Sequence, residues 1–313
     1  MIQTVFLLLF MAAFRVDAGE LAIAWGEEGV GYYNASVPGF AESFAEGPNA
    51  IAPGEAGQLL IADTQGDCVL VVDESGKILA RHGAKDRAGL ALVTAVACYG
   101  KGEILAGKMR SGDIVRIDAA GKQHAFYSSP PKGPRRIGQL QSLASDSSGR
   151  VFAGDVAGQR ILVLSERGEL LEEVEWGLTG FAVTSDGTLL RLKRRDGGNY
   201  ALIARSAAGA DSERFVLPAA GDGAILSSPR LLGVDAAGNV FLRHADPKRP
   251  GVLMARRYSA DGTTFQELGE VAACGGEDVF ALTPQGRLFA MEYDAEKAPA
   301  GEVTVRELVA ATK

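Results

Sequence analysis

The chain has 313 residues, 47% of them hydrophobic and 23% charged, which supplies enough apolar material for a large core and excludes disorder on grounds of composition. A formal net charge of −7 argues against a protein that binds nucleic acid, because such proteins present a basic surface. We therefore expect a folded domain without a nucleic-acid partner.

The N-terminus has the pattern of a secretory signal peptide. An apolar block from Val5 to Phe14 is followed by Val16-Asp17-Ala18, which suits a signal-peptidase site. Ten apolar residues are too few to span a bilayer as a stable helix, and no second long apolar block follows. We predict a signal peptide over residues 1–18, cleavage near Ala18, a secreted or periplasmic location and no membrane span.

The segment 47–83 contains four short apolar runs separated by turn residues: NAIAP, QLLIAD, CVLVVD and KILARH. Short aliphatic runs bounded by Gly, Asp and Ser are typical of strands rather than helices. The segment is therefore predicted to be a four-stranded meander. A single meander leaves apolar faces uncovered, so we expect further copies to pack beside it.

The chain contains six copies of this unit, spaced 38 to 51 residues apart. A turn glycine stands between the first and second strand of each copy: Gly57, Gly102, Gly149, Gly187, Gly238 and Gly286. A four-stranded repeat of about this length is typical of a β-propeller, whose blades cover one another's faces. The sequence therefore predicts an all-β fold, a six-bladed β-propeller, as a single domain over residues 19–313.

The first strands share a small residue five positions before the turn glycine. These residues are Ala52, Ala97, Ala144, Ala182, Gly233 and Ala281. Blades converge around a central axis, where neighbouring sheets come closest together. We therefore predict that this alanine and glycine ring surrounds the axis.

The last repeat runs to VTVRELVAATK without a fourth strand. The stretch LAIAWG at 21–26 stands alone before the first repeat and resembles VEWG at 174–177, the end of a fourth strand. Pairing the two would remove a free sheet edge. We predict that the N-terminal strand closes the last blade.

With this pattern over residues 20–313, the chain resembles the six-bladed NHL-repeat superfamily. Glu46-Gly47-Pro48 followed by LLIAD also resembles the opening of the gluconolactonase and senescence-marker family, which are metal-dependent lactone hydrolases. In that family the Glu binds a divalent cation together with an Asn and an Asp from later blades. This chain has Thr179 and Arg230 at those two places, and Arg230 would repel a cation, so the resemblance does not carry the metal site over.

Strand directions place the residue eight before each turn glycine beside the residue six after it, on one face. All twelve positions are polar: Asn49 with Asp63, Thr94 with Lys108, Gln141 with Asp155, Thr179 with Lys193, Arg230 with His244, and Asp278 with Glu292. Strand ends meet water and are often polar for that reason alone. The charges are segregated, however, with carboxylates on blades six and one and the basic residues expected opposite. We predict ligand contacts from Asn49, Asp63, Lys108, Asp155, Lys193, Arg230, His244, Asp278 and Glu292.

Four loops on the same face are rich in Lys and Arg, at 108–113, 130–136, 193–198 and 246–251. A charge run is usually only a solvated loop. Four such loops on one rim predict a surface that attracts anions.

No nucleophile, phosphate-loop or dinucleotide motif is present in the sequence. We therefore favour a monomeric binding module over an enzyme, with an unknown protein, an anionic glycan or a small anion bound at the channel mouth and no cofactor. The alternative is a divergent metal-dependent hydrolase or lyase. Its Glu46, Asp63, Asp278 and Glu292 would hold Ca²⁺ or Mg²⁺, because those ions prefer hard oxygen ligands. A third hypothesis is a purely structural interaction module.

The three cysteines, Cys68, Cys98 and Cys274, lack the close spacing of a zinc site. The sequence leaves two states open. One is a single disulfide with one free thiol, and the other is three buried free thiols.

Overall fold

The computed structural model describes residues 20–26, 28–32, 46–83, 90–217, 226–274 and 278–310, and the predicted signal peptide lies outside them. The described residues form 24 strands in six antiparallel sheets of four strands each. This confirms the predicted all-β fold with six four-stranded blades.

The blades follow one another along the chain, except that the first strand, β1 (Glu20–Ala24), belongs to the sixth blade. Blade 1 contains β2 (Ala50–Pro53), β3 (Leu59–Asp63), β4 (Cys68–Val72) and β5 (Ile78–Gly83). Blade 2 contains β6 (Val93–Tyr99), β7 (Glu103–Lys108), β8 (Ile114–Ile117) and β9 (Gln123–Tyr127). Blade 3 contains β10 (Leu140–Ser145), β11 (Val151–Asp155), β12 (Arg160–Leu164) and β13 (Leu170–Glu175).

The remaining blades repeat this order. Blade 4 contains β14 (Phe181–Val183), β15 (Leu189–Arg194), β16 (Tyr200–Arg205) and β17 (Asp211–Val216). Blade 5 contains β18 (Ser227–Val234), β19 (Val240–Ala245), β20 (Val252–Tyr258) and β21 (Phe265–Ala272). Blade 6 contains β22 (Phe280–Leu282), β23 (Leu288–Glu292), β24 (Glu302–Leu308) and β1.

The six inner strands, β2, β6, β10, β14, β18 and β22, contact one another in sequence, and β22 returns to β2. The ring of blades is therefore closed. The described part of the chain adds only two single helical turns, Glu55–Gly57 and Ala295–Lys297, to these strands. Within that part, no helix has the length and apolar composition needed to cross a membrane.

The predicted turn glycines occupy one conformation in all six blades. Their φ angles lie between +69° at Gly102 and +83° at Gly286, in the left-handed region that favours glycine. Each ends the hairpin between an inner strand and the second strand of its blade. This shared backbone requirement explains why the repeat could be recognised from its glycines.

The N-terminal strand closes the last blade, as predicted. β1 pairs antiparallel with β24, with Glu20 opposite Arg306 and Ala24 opposite Glu302. Its side chains alternate, so that Leu21 and Ile23 are buried while Ala22 and Ala24 are exposed. β24 therefore has a hydrogen-bonded neighbour on both sides.

The core is divided among the spaces between neighbouring blades. Blades 1 and 2 share one cluster with Leu60 and Val96, and blades 2 and 3 share another with Leu105 and Leu162. Two more clusters join blades 3 to 4 and 4 to 5, and the largest joins blades 5, 6 and 1. Both faces of a blade are thus apolar, which is why its strands appear as continuous hydrophobic runs in the sequence.

Candidate functional site

Strand directions define two faces of the propeller. Inner strands begin on the face that we call the mouth face and end at the turn glycines on the other, which we call the turn face. Second strands return to the mouth face, so the four basic loops, which follow second or fourth strands, all lie there. The predicted placement of these loops on one face is therefore consistent with the topology.

A central cavity of about 1240 Å³ occupies the propeller axis. The whole alanine and glycine ring lines it, so these small residues border an open space and do not fill the axis. Toward the turn face the cavity is bordered by hairpin residues such as Gly149, Ser185 and Ala236. Toward the mouth face its lining ends at the level of Ser142, Gly180, Arg230 and Asp278.

Three side chains form a polar cluster at the mouth end of the central cavity. The Arg230 Nη2 atom lies 2.5 Å from Asp278 Oδ1, and the Ser142 hydroxyl donates to Asp278 Oδ2 at 2.5 Å. Arg230 Nη2 also donates to Ser142 Oγ at 3.2 Å. The cluster joins blades 3, 5 and 6, and Arg230 is only 6% exposed.

This contact corrects one expectation. The basic residues of the mouth were expected to lie opposite the carboxylates, whereas Arg230 pairs directly with Asp278. Blades 5 and 6 are neighbours, and the long Arg230 side chain reaches across the gap between their inner strands.

The other mouth residues of the inner strands bond to adjacent blades or to their own blade. Asn49 Nδ2 donates to the Thr94 carbonyl at 3.1 Å, and the Thr94 hydroxyl donates to the Leu140 carbonyl at 2.8 Å. The Thr179 hydroxyl donates to the Leu192 carbonyl of its own blade at 3.1 Å. The bonds from Asn49 and Thr94 link blade 1 to blade 2 and blade 2 to blade 3 on the mouth face.

A second, smaller pocket of about 180 Å³ opens among these residues. Its walls include Glu46, Asn49, Thr94, Gln141 and Tyr293. Glu46 is exposed and accepts a hydrogen bond from Gln65 Nε2 at 2.6 Å. Of the predicted inner-strand residues, Asn49, Thr94 and Gln141 are brought together here, whereas Arg230 and Asp278 border the central cavity.

The carboxylates at the ends of two second strands hold nearby loops. Asp63 is fully buried and accepts backbone N–H bonds from Gly31 and Gly66 at 3.0 Å. Asp155 is 1% exposed and accepts from the N–H groups of Gly138 and Gln139. Burial raises the pKa of Asp63, while the two backbone bonds act in the opposite direction. Neither carboxylate lines the central cavity or the smaller pocket.

His244 and Glu292, at the ends of the second strands of blades 5 and 6, also have hydrogen-bond partners. His244 is 6% exposed, and its Nδ1 lies 3.1 Å from the Ala245 carbonyl oxygen. Burial lowers its pKa, so the ring is neutral at neutral pH. Glu292 accepts from the Ala272 N–H at 2.7 Å and pairs with Arg306 Nε at 2.7 Å.

The residues proposed for a metal do not converge. Asp63, Asp278 and Glu292 each have a different set of partners, described above, and Glu46 bonds to Gln65. Among the described residues, no group of three or more His, Cys, Asp or Glu side chains could hold a metal ion. The donor set in this part of the chain therefore does not fit Ca²⁺ or Mg²⁺, each of which needs several oxygen ligands around one point.

Most basic side chains of the basic loops have no ion pair with a described residue. Lys108 lies 4.0 Å from Asp113, and Arg195 and Arg249 also have acidic partners. The others have no ion pair with a described residue: Arg110, Lys132, Arg135, Arg136, Lys193, Arg194 and Lys248. Several arginines on the sides of the blades, by contrast, are paired, as Arg205 is with Glu172.

All three cysteines are free, so no disulfide forms among them. Cys68 is buried beside Asp63, whereas Cys98 and Cys274 are half-buried. Burial, reinforced by the charge of Asp63, raises the pKa of Cys68 to about 12.

We expect iodoacetamide at pH 8 to modify Cys98 and Cys274 but not Cys68 in the folded protein, because alkylation requires an accessible thiolate. Peptide mass spectrometry measures the three sites separately. Unfolded protein is the control, in which all three should react. Modification of Cys68 as fast as Cys98 in the native state would contradict its burial.

Ser142 is the member of the polar cluster that the sequence predictions missed. It stands one residue inside the mouth position of blade 3, where the other blades have Ala50, Ala95, Gly180, Leu231 and Val279. Ser142 is thus the one polar residue at its repeat position. That departure was visible in the aligned repeats.

No protein-family model and no curated protein matches the sequence. Several solved structures share its fold. A gluconolactonase from Xanthomonas campestris is 16% identical with a TM-score of 0.56, over 83% of this chain and 86% of its own. The calcium-binding protein regucalcin from Agrobacterium tumefaciens is 13% identical with a TM-score of 0.53, over 85% and 92%. A streptogramin B lyase is 14% identical with a TM-score of 0.50, over 88% and 96%. At these identities the likeness establishes the six-bladed propeller fold and no activity.

Proposed function

We propose that this protein is a secreted or periplasmic binding module whose mouth face captures a polyanionic partner. The observation that carries the proposal is the set of basic side chains in the basic loops that lack an acidic partner among the described residues. The four loops together hold ten Lys or Arg and three Asp, a net charge of +7 in a chain whose net charge is −7. These four loops therefore give one rim of an acidic protein a net positive charge.

Unpaired charges on the rim act mainly by steering a charged partner toward the mouth face. An exposed lysine contributes little to stability, but several on one surface raise the local concentration of an anion and its association rate. The basic loops belong to blades 2 to 5 and surround one side of the mouth face. A ligand with repeated carboxylate or sulfate groups could contact several of them at once.

The alternative of metal-dependent hydrolysis receives less support from this geometry. The fold is compatible with both functions, since the similar structures include a gluconolactonase and a lyase. The carboxylates that such an enzyme would use here hold loops or bond to other side chains. A binding role requires only the exposed charges that the mouth face provides.

Charge reversal tests the proposal. We expect Lys132→Glu, Lys193→Glu and Arg194→Glu together to weaken binding of heparin or poly-L-glutamate at least tenfold in 50 mM salt, because attraction becomes repulsion. Arg195 is left unchanged because it pairs with Glu213 at 3.3 Å. Surface plasmon resonance gives the association rate, in which most of the loss should appear. The difference should shrink in 0.5 M salt, where screening is stronger.

The turn face supplies a matched control. Lys101, Lys122 and Arg167 are exposed and have no ion pair with a described residue, so reversing them changes the net charge by the same amount. We expect this triple variant to bind within twofold of the natural protein. If both triple variants lose binding equally, net charge alone is responsible and the mouth face is not the site. Heparin represents an anionic glycan and poly-L-glutamate an acidic peptide, so comparing the two distinguishes these kinds of polyanion.

A further inference from the structure

The central cavity is separate from the mouth face and opens at the opposite end of the axis. Asn49, Thr94 and Gln141 line the smaller mouth pocket and are not among the walls of the central cavity. The central cavity is bordered instead by turn-face residues, including Tyr99, Gly149 and Ser185. A molecule in this cavity would thus enter from the face that carries no basic loop.

The central cavity, at about 1240 Å³, is somewhat larger than a typical ligand pocket and has room for a small organic molecule. Ligand pockets are typically concave, largely apolar and about 300 to 1,000 Å³, with a few polar groups that fix orientation. Leu143, Phe181 and Phe280 contribute apolar side chains to the walls. Within each blade the inner strand is hydrogen-bonded to only one neighbouring strand. Some peptide groups on its inner edge bond to the next blade, as the Ile51 N–H does to the Asp278 carbonyl, and the others supply uncharged donors and acceptors.

The charges around the central cavity are largely neutralised. Six carboxylates and three guanidinium groups line it. Four of the carboxylates are ion-paired, Glu103 with Arg116, Asp146 with Arg150, Asp235 with Arg257 and Asp278 with Arg230. The remaining excess is negative. Among the lining guanidinium groups, Arg214 alone has no ion pair with a described residue, and the carboxylates Glu166 and Asp186, which also lack one, outnumber it, so the lining disfavours an anion.

The polar cluster gives the closed end of the cavity a specific chemistry. The Ser142 hydroxyl hydrogen is donated to Asp278, so the cluster offers the remaining lone pairs of the Asp278 and Ser142 oxygens as hydrogen-bond acceptors. The ion pair within the cluster is neutral overall. A hydroxyl or a primary amide matches such a surface, because each can donate a hydrogen bond to these oxygens without carrying a charge.

We propose that the central cavity is a second binding site, which takes an uncharged small molecule through the turn face. An apolar body lies along the inner strands, and a hydroxyl or amide head contacts the polar cluster. This site is independent of polyanion binding at the mouth face. The triple charge reversal at the mouth should leave it unchanged.

Two fluorescent probes that share one skeleton test the chemical class. N-phenyl-1-naphthylamine is uncharged, and 1-anilinonaphthalene-8-sulfonate adds a sulfonate to the same rings. We expect the uncharged probe to bind with one-to-one stoichiometry and the sulfonate to bind at least tenfold more weakly in the cavity. Cys98 lines the cavity and Cys274 does not, so the uncharged probe should slow alkylation of Cys98 alone. Equal protection by both probes, or protection of neither cysteine, would overturn the proposal.

Variants localise the probe. Ala144→Phe places an aromatic ring in the cavity and should weaken the uncharged probe at least tenfold, whereas Ala125→Phe on the exposed outer strand β9 should not. Unchanged binding to Ala144→Phe would place the probe elsewhere. If Ala144→Phe does not fold, the Cys98 protection experiment on the natural chain still decides.

Competition tests the head group. 1-Naphthol should displace the uncharged probe at about fivefold lower concentration than naphthalene, which is the effect of one hydrogen bond. Ser142→Ala should reduce that advantage. An equal advantage in Ser142→Ala and the natural protein would show that the head does not reach Ser142.

Discussion

Replacing Ile23 by aspartate should lower the free energy of unfolding by about 4 kcal/mol or more. Ile23 is 3% exposed in β1 and packs in the largest core cluster, beside residues of β24. Truncating a buried isoleucine costs about 2 to 5 kcal/mol, and an unpaired buried carboxylate adds a desolvation cost. Domains are typically stable by about 5 to 15 kcal/mol, so this single change removes a large share.

The alternation of β1 supplies the control. Ala22 is exposed on the same strand, opposite Thr304, and Ala22→Asp should change stability by less than about 1 kcal/mol. Urea unfolding followed by circular dichroism measures both variants. Equal stabilities would mean that β1 does not pack against blade 6 in solution.

Removing Asp278 should cost about 3 to 5 kcal/mol, because it leaves the nearly buried Arg230 without this carboxylate. Arg230→Ala should cost less, since Asp278 is more exposed, at 28% of its side chain. We therefore expect each single variant to lose stability mainly because its partner is left unpaired, and not because the pair itself is strongly stabilising. Denaturant unfolding of each single variant gives the two values.

A double variant completes this test. Arg230→Met with Asp278→Leu removes both charges and should lie within about 1 kcal/mol of the natural chain, because replacing a buried pair by apolar groups is often neutral. The two single losses would then be strongly non-additive, as expected for side chains in contact. If the losses simply added, the 2.5 Å contact would not form in solution.

The fold was predictable because its main signals are local. Gly57 and its five equivalents need a left-handed backbone, so the requirement appears directly as a residue type at a fixed place in each repeat. The N-terminal closure was predictable for a related reason. Blade 6 lacked a strand, and LAIAWG was an apolar run without a blade.

The site was less predictable, because strand order gives a residue's position but not the partner of its side chain. Asp63 does stand at the mouth end of β3, yet it turns toward the N–H groups of Gly31 and Gly66. Gly31 precedes it by 32 residues, so no local pattern signals the bond. Arg230 and Asp278 were named separately, and only the structure shows that they pair.

Pairing β1 with β24 joins two strands that are synthesised far apart in time. Glu20 and its partner Arg306 are separated by nearly the whole sequence, a contact that is slow to form because loop closure must come first. Blades 1 to 5 can assemble as the chain is synthesised, but the sixth sheet cannot be completed until β24 has emerged. Until then Leu21 and Ile23 lack the β24 residues against which they pack. The finished ring therefore appears only after β24 has been synthesised, and a chain truncated before β24 would be left with an open propeller and an unpaired first strand.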